Sequence, residues 1–557
     1  MSGTSLASWG PSRREAWGTA VLLFVFALLV RAAFARTVPF PTPEDTAYYV
    51  MVARNLVTGH GLTSDALWSF QTPPLTFPRP AFEVWLPLPS LLAALPMAIL
   101  GTSFAVAQLP ALAVGALIPV LAWRLGLDVA LELGLPTGRA RTLAIGVGLT
   151  AAVELPLVLF SALPDSTSIF AALVLAACLL ITRILRNPGA ARLRDPRLLG
   201  LGVLIGLAAL ARNEALWLAL AWAGLAWFTA RDAAGVRLPR AERLRLIGIP
   251  AVVAILVFSP WLVRDWLVFG NPLPGQAAAN ALSVTGFDIF AWSDPPTLAR
   301  YLSVGIGTLV QMRIDGFSHN LLSVLLVPSF PIGLIGLLRL PWTARIRSLR
   351  PLLVVSLLTF WVTTLVFPVA TTWGTFLHAA GPVHVLLIVA CLLALDALFV
   401  RISSWRGWTN QVAWLGATLT VATAVLFSLT LAGYGRQSSD VANRYQALDA
   451  RMTAIGRPLA GAGPVISDFP IWLAYSTGID TLALPDEPPS SIVDLAAHFP
   501  GTRYLVISED HGSWPKILSS GAADAACFHE VTLGVPSDPT AATALAGTRV
   551  FEIGCAP

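Results

Sequence analysis

Long apolar stretches dominate this 557-residue chain and restrict what it can fold into. Most are close to the ~20 residues that an α-helix needs to cross a bilayer. Only 12% of the residues are charged, against about a quarter in soluble domains. The sequence therefore predicts a polytopic α-helical membrane protein. We place its eleven spans at about 16–36, 103–123, 142–162, 166–184, 198–212, 214–230, 246–263, 318–338, 352–371, 381–400 and 412–432.

Residues 82–101 are also apolar but rich in proline, and we interpret them as a helix at the membrane interface or partly re-entrant. The basic residues support this reading. Most of the 36 Lys and Arg residues then fall in loops on the side of the N-terminus, as the positive-inside rule requires. A full span at 82–101 would move the arginine-rich loops outside. We therefore predict a plasma (inner) membrane protein with a cytoplasmic N-terminus.

The pattern of basic residues indicates topology rather than nucleic-acid binding, because they lie in loops between apolar stretches. The first apolar stretch, 17–36, is long and lacks a small-residue cleavage site, so it predicts an anchor and not a removable signal peptide.

The composition becomes that of a soluble protein after Gly435. We predict a membrane domain at 1–435, with a first extracytoplasmic loop at about 37–102, and a small extracytoplasmic α/β domain at 436–557. Its predicted helices are Asp440–Ile455 and Ser490–His498, and its predicted strands Pro464–Asp468, Arg503–Ser508, Cys527–Leu533 and Thr548–Ile553. This region contains no glycine-rich phosphate loop, metal-ligand spacing or nucleophile elbow. We expect it to cap or support a site in the membrane domain.

The four cysteines divide into two pairs. Cys178 and Cys391 lie in apolar spans, where packing is their expected role. Cys527 and Cys555 lie in the extracytoplasmic region, where a disulfide between them and two free thiols both remain open.

Several ionisable residues fall at or near the extracytoplasmic ends of the predicted spans. A charged side chain costs roughly 2.5–3.5 kcal/mol at the centre of a span and less near its ends. Several on one side therefore indicate a polar cavity that opens outward. The residues are Glu44, Asp45, Arg79, Asp165, Arg212, Glu214, Arg264, Asp265 and His378.

Five segments in chain order resemble the GT-C glycosyltransferases that use polyprenyl-phosphate sugars, among them the protein O-mannosyltransferases and the lipid A aminoarabinose transferase, and suggest a bacterial member. Each segment alone is a weak signal, but their order covers the whole membrane part. They are Glu44 to Gly61 in the first loop, Ser161-Ala162-Leu163-Pro164-Asp165-Ser166, Gly206 to Glu214, Ser259 to Pro272 and Thr372-Trp373-Gly374-Thr375-Phe376-Leu377-His378.

The resemblance implies a GT-C-like fold and an inverting sugar transfer on the extracytoplasmic face. In such a transfer a carboxylate takes the proton of the acceptor hydroxyl. Counting back from Ala53-Arg54, Asp45 takes the family's aspartate position, whereas Thr46 stands where some members have glutamate. Other members carry two acids here, which Glu44 and Asp45 would match. We assign Asp45 as the base and leave the role of Glu44 open.

The leaving group would be a lipid-linked phosphate, which arginine pairs bidentately. We therefore expect donor phosphate and sugar to contact residues from the matching segments, although any of these arginines also fits an interface anchor paired with a carboxylate. The candidates are Arg264, Arg212, Arg79, Asp165, His378 and Tyr48. Trp68, Trp85, Trp261 and Trp373 fit sugar or prenyl stacking, but an interfacial belt is the favoured explanation for them.

The resemblance also implies partners. These are a polyprenyl-phosphate sugar donor, membrane lipid, and an acceptor that is protein, lipid or polysaccharide, with no nucleic acid. No cofactor is certain, and a divalent cation, Mg²⁺ or Mn²⁺, stays open, with Glu44, Asp45 and Asp165 as its candidate ligands. A transporter or flippase and a polymer ligase of the cell envelope remain alternatives. A transporter would be expected to show internal repeats and charges near the midplane, which this sequence lacks.

Overall fold

The computed structural model describes residues 12–188, 194–232, 234–407, 413–508, 512–521 and 523–554. Helices dominate the part before residue 455. They are α1 Arg13–Ala35, α2 Glu44–Val57, α3 Leu88–Leu100, α4 Phe104–Glu132, α5 Thr137–Val153, α6 Leu155–Leu159, α7 Ser166–Arg186, α8 Pro196–Ala211, α9 Ala215–Thr229, α10 Arg240–Phe269, α11 Ala277–Leu282, α12 Leu298–Ser303, α13 Gly305–Ser318, α14 Ile332–Thr343, α15 Arg350–Val366, α16 Thr375–Ala379, α17 Gly381–Arg406, α18 Ala413–Ser428 and α19 Leu431–Ala454. Short 3₁₀ segments lie at Gly286–Phe290 and Ala370–Trp373, and a π-helix at His319–Leu326.

Six apolar helices within the described ranges are long enough to cross a membrane, counting α18 and α19 as one. Five shorter apolar helices accompany them, at 88–100, 196–211, 215–229, 332–343 and 350–366. The protein is therefore a helical membrane protein, as its hydropathy predicts. The count of eleven spans and the interfacial position of 82–101 stay predictions.

Proline interrupts two of the predicted spans well inside their bounds. The span at 142–162 breaks after Val153, because Pro156 has no N–H to donate to the carbonyl of Ala152. Arg31 of α1 occupies this break and donates Nη1 to that carbonyl at 3.0 Å. The span at 318–338 is interrupted between the π-helix and α14, where Pro328 and Pro331 fall. Both breaks lie where the sequence carries proline, and both form polar corners inside the bundle.

A six-stranded sheet fills the last part of the chain, with helices α20 Pro470–Thr477, α21 Pro489–His498, α22 Trp514–Ser519 and α23 Pro539–Ala544 and a 3₁₀ turn at Ala523–Ala525. Its order is β2-β5-β4-β6-β8-β7, from β2 Ala66–Leu67, β4 Val465–Ser467, β5 Thr481–Ala483, β6 Tyr504–Ile507, β7 Phe528–Glu530 and β8 Arg549–Ile553. The first four strands in this order are parallel and the last two antiparallel to their neighbours. Strands β4, β6, β7 and β8 lie inside predicted stretches, whereas β5 and β2 were not predicted.

Strand β2 is the unexpected member, because it comes from the first loop. Ala66 and Leu67 pair in parallel with Thr481 and Leu482, and the amide of Thr481 donates to the Asp65 carbonyl at 2.9 Å. A second strand pair, β1 Thr63–Ser64 with β3 Arg79–Pro80, flanks it within the loop. The division of the chain at residue 435 stays a prediction, but this sheet is built from both sides of it.

The first loop and the sheet share one hydrophobic core. Trp68 and Trp85 lie 4.7 Å apart by ring centroids and pack in the same cluster as Ile466, Leu482 and Leu505. Trp261 belongs to that cluster too, whereas Trp373 is about half exposed. Burial of these apolar surfaces holds the loop and the sheet together.

One carboxylate holds the loop between α10 and α13 against the sheet region. Glu487 accepts the backbone amides of Trp292, Ser293 and Asp294, each at 3.0 Å, and the Ser293 hydroxyl at 2.6 Å. Hydrogen bonds to a charged acceptor are the stronger kind. This loop therefore has a defined place beside the sheet.

The cysteines of the membrane part, Cys178 and Cys391, are buried and unpaired, as expected of packing residues. The choice between a Cys527–Cys555 disulfide and two free thiols involves Cys555, which lies outside the described part of the chain.

Candidate active site

Helix α2 presents the two acidic residues of the first loop to different surroundings. Consecutive residues of a helix point about 100° apart, so Glu44 and Asp45 cannot face the same group. The Asp45 carboxylate reaches toward the membrane helices, with Oδ2 3.5 Å from Nε2 of His378 and 28% of the side chain exposed. Glu44 instead accepts the backbone amide of Ile471 at 2.9 Å, in the first turn of α20.

Glu44 thus joins the first loop to the sheet region through the free amides at a helix N-terminus. Burial raises the pKa of Glu44 to about 8, against the opposing effect of the Ile471 amide. The carboxyl therefore exchanges its proton close to neutral pH while it holds α20.

His378 is fixed by two contacts besides Asp45. Its Nδ1 lies 2.8 Å from the Thr167 hydroxyl, and its ring meets the edge of Phe160 at 5.7 Å between centroids. Burial lowers the pKa of His378 to about 4, although Asp45 opposes that shift. The imidazole is therefore neutral at pH 7, with one nitrogen toward Asp45 and the other toward Thr167.

Asp165 stands at the N-terminus of α7, where its Oδ1 accepts the Thr167 amide at 2.7 Å. It is fully buried, and its Oδ2 has no hydrogen-bond partner among the residues that the structure describes. Asp45 and Arg212 both act on it electrostatically. Asp165 therefore lies in the same polar group as Asp45, and one of its carboxylate oxygens receives no hydrogen bond from the described residues.

Arg212 follows the last residue of α8 and connects three elements. It forms a bidentate pair with Glu214 at 2.9 and 3.1 Å, and it donates to the Ser166 hydroxyl at 2.8 Å and the Thr375 carbonyl at 3.3 Å. Only 12% of its side chain is exposed. The guanidinium therefore has a fixed orientation beside Asp45 and Asp165.

The glycines of α8 account for the close approach of α8 to α10. A Cβ at Gly206 would lie 2.6 Å from Cβ of Val257, and one at Gly202 2.5 Å from Cβ of Val253. Larger residues would push α10 away, and Arg212 and Arg264 lie at the ends of these two helices.

A second group of charges surrounds Arg264. The guanidinium donates to Asp265 at 2.9 Å and lies over the rings of Trp261 and Phe269, at 4.8 and 5.1 Å from their centroids. Its side chain is 19% exposed. Tyr48 is buried near Arg264 and accepts the Phe82 amide through its hydroxyl at 2.6 Å.

Arg79 is fully buried and serves the first loop itself. It donates to the carbonyls of Thr72, at 2.8 Å, and Pro74, and pairs with Glu83 at 3.4 Å. Sequence reasoning missed Glu83, which is nearly as buried and lies four residues after Arg79. The structure thus brings Asp45, Asp165, Arg212 and His378 together, places Arg264 with Tyr48, and turns Arg79 and Glu44 toward other contacts.

A metal site is not apparent in the described ranges, where no group of three or more His, Cys, Asp or Glu side chains is arranged to hold an ion. Glu44, one of the three candidate ligands, faces α20 rather than Asp165.

Membrane helices with a folded first loop are followed by a sheet-containing region, and solved structures of GT-C fold share this arrangement. Among solved structures, the chain is similar to ArnT from Cupriavidus metallidurans bound to undecaprenyl phosphate, with a TM-score of 0.54, 14% identity, and coverage of 96% of this chain and 98% of that chain. The apo state of that protein gives a TM-score of 0.52 with 13% identity, over 97% and 98% of the two chains.

A third similar structure is the archaeal oligosaccharyltransferase AglB from Archaeoglobus fulgidus, with a TM-score of 0.45 and 12% identity, covering 89% of this chain and 70% of that one. No protein-family model matches the chain, and no curated protein does. The likeness to the two ArnT structures, at 13–14% identity, shows the fold alone, which is a GT-C fold.

Proposed function

We propose that this protein is an inverting glycosyltransferase that moves a sugar from a polyprenyl-phosphate donor to an acceptor hydroxyl at the extracytoplasmic face of the membrane. The observation that carries the proposal is the position of Asp45 on a GT-C fold. Its carboxylate is partly exposed, while a neutral histidine, a fixed arginine and a second carboxylate lie around it. The similar ArnT structure was solved with undecaprenyl phosphate, which supports a lipid-phosphate donor.

In the proposed step, Asp45 accepts the proton of the acceptor hydroxyl as its oxygen attacks the anomeric carbon. The bond between that carbon and the phosphate oxygen breaks, and its electron pair stays on the lipid phosphate. General-base catalysis of this kind contributes roughly 10²–10⁴-fold to a rate. A neutral His378 at 3.5 Å leaves the Asp45 carboxylate free to act as the acceptor.

Two arginines are proposed to stabilise the leaving phosphate. Arg264 is the better candidate for direct contact, because its partly exposed guanidinium has a single protein carboxylate partner in the described structure. Arg212 makes four protein contacts, so its contribution is a fixed positive charge near the reacting atoms. Asp165, with its unpaired oxygen, is proposed to bind a sugar hydroxyl.

A transporter or flippase is the alternative from another class, and a polymer ligase is the alternative among enzymes. The grouping of Asp45, Arg212 and His378 on the first loop and the adjoining helix ends favours the transferase, because a transporter is expected to hold its substrate site near the midplane.

The test is transfer from a labelled polyprenyl-phosphate sugar in proteoliposomes. We expect Asp45→Asn to lower transfer roughly 10²–10⁴-fold with unchanged folding. Glu44→Gln is the matched control, because it alters the adjacent carboxylate, which contacts α20 rather than His378.

Equal transfer by the native protein and Asp45→Asn would remove Asp45 from the base role. Movement of labelled donor across the membrane without a glycosylated product would favour the transporter, and chain-length growth of a polymer acceptor would favour the ligase.

A further inference from the structure

A second buried polar cluster lies behind the candidate active site, at the two proline breaks of the bundle. Glu154 follows α5, Ser329 lies between the π-helix and α14, and His384 is in the first turn of α17. Ser329 donates to Oε1 of Glu154 at 2.6 Å and lies 3.0 Å from Nδ1 of His384. Glu154 and His384 are each 2% exposed.

Glu154 has one carboxyl oxygen that is hydrogen-bonded and one that is unpaired among the described residues. In the described structure its Oε2 is buried and has no hydrogen-bond partner, and the nearest basic group is the imidazole of His384 at 3.4 Å. A buried polar oxygen without a hydrogen-bond partner is costly, so this unpaired oxygen of Glu154 calls for an explanation.

A small cavity connects this cluster to the active site. It is lined by Thr167, which contacts His378, and by His384, which contacts Ser329. Ser161 and Ser168 also line it, and the Ser168 hydroxyl is buried with no partner among the described residues. The cavity offers about 10 Å³ to the centre of a water molecule, which is room for one. Thr167, Ser168 and His384 all line the space that a single water would occupy.

We propose that Glu154, with Ser329 and His384, is a buried proton store for the catalytic base, reached through His378, Thr167 and one water in this cavity. The proposal rests on the function given above. It assigns a role to three residues that do not contact the substrates. Such a store is useful when donor and acceptor cover the exposed side of Asp45, because bulk water can then no longer take the proton from Asp45.

The proton balance is simple. Protonated Asp45 gives its proton to Nε2 of His378 as Nδ1 releases one to the Thr167 hydroxyl, which passes its own hydrogen to the cavity water. The water protonates His384 on the nitrogen that Ser329 does not use, and Nδ1 gives a proton through Ser329 to Glu154. Asp45 is again ionised and Glu154 is neutral. After product release the proton returns by the same route and leaves to solvent from Asp45.

The test is the steady-state kinetics of sugar transfer by Glu154→Gln in proteoliposomes, in H₂O and in D₂O. Glutamine keeps the size of the side chain and can accept from Ser329, but it cannot take up a proton. We expect kcat to fall roughly tenfold, KM to stay unchanged, and the solvent isotope effect on kcat to increase.

A second variant, Ser168→Val, fills the cavity without changing Glu154 and is expected to give the same pattern. Asp128→Asn is the control for loss of a buried carboxylate, because Asp128 pairs with Arg124 at 2.8 Å on α4, away from this cavity. It should leave the isotope effect unchanged.

If Glu154→Gln and Ser168→Val have the same kcat and isotope effect as the native protein, the proton store is overturned. The proposed transferase function is then unaffected. If Glu154→Gln does not fold, Ser168→Val decides alone. A native protein that transfers no sugar would instead overturn the proposed function, and the store with it.

Discussion

The floor and the roof of the candidate site are built differently. The floor, made of Asp45, Asp165, Arg212 and His378, gathers charged and polar side chains from α2, α7, α8 and α16 over short distances. The roof consists of contacts between the first loop and the sheet region: the β2–β5 pair, the shared apolar core and the Glu44–Ile471 bond. The floor holds groups that are suited to chemistry, whereas the roof holds the loop that carries Asp45.

The largest expected effect concerns the floor. Arg212→Gln leaves Glu214 as a buried charge without its partner, and breaking such a pair costs about 3–5 kcal/mol. We expect sugar transfer to fall more than a hundredfold and the melting temperature to drop.

The double variant Arg212→Gln with Glu214→Gln separates the two effects, because it removes both charges. Thermal unfolding should then recover while transfer does not. Recovery of transfer in the double variant would contradict a direct electrostatic role for Arg212.

An intermediate effect is expected from the roof. Leu67→Ala truncates a fully buried side chain of β2 and should lower stability by roughly 2–5 kcal/mol. Because the roof only positions the loop, we expect transfer at low temperature to fall much less than in Arg212→Gln. Urea unfolding and transfer assays at two temperatures measure this, with Leu545→Ala, a buried residue of the same region distant from β2, as the control. A transfer loss as large as that of Arg212→Gln would show that the two regions are not distinct.

The smallest expected effect is on the pH dependence of stability. Glu44 has a pKa of about 8 in the folded protein and close to 4.5 when unfolded, so the folded state binds the extra proton between these values. Its contribution is therefore lost as the pH rises from about 5 to 8. Glu44→Gln should flatten this part of the melting-temperature profile. An unchanged slope would mean that another group causes it.

The hydrophobic pattern predicted the helices well, because a membrane-spanning helix needs a long apolar stretch and such stretches are plain in the sequence. It could not predict where α5 stops, since Pro156 ends the helix inside an apolar stretch. Strand β2 was missed because two residues, Ala66 and Leu67, carry no periodic signal. The roles of Asp45 and its neighbours stay predictions, although the structure brings four of the candidates together.

Motif comparison could not find Glu154, Ser329 and His384. They lie far apart in the chain, and none stands in a segment that resembles the GT-C pattern. Only a folded structure places their side chains in contact. Arg79 shows the reverse case. The sequence suggested that it binds the donor phosphate, whereas its N–H groups donate to backbone carbonyls of the first loop.

The β2–β5 pair also sets an order in time. Leu67 is synthesised more than 400 residues before Leu482, its partner in the sheet. During synthesis the first loop therefore stays without its sheet partner until residue 482 has been made. A protein that stalls or is cut before residue 481 would present an unfinished loop to chaperones and proteases at the membrane surface. The region around Asp45 can therefore be completed only after most of the chain has been translated.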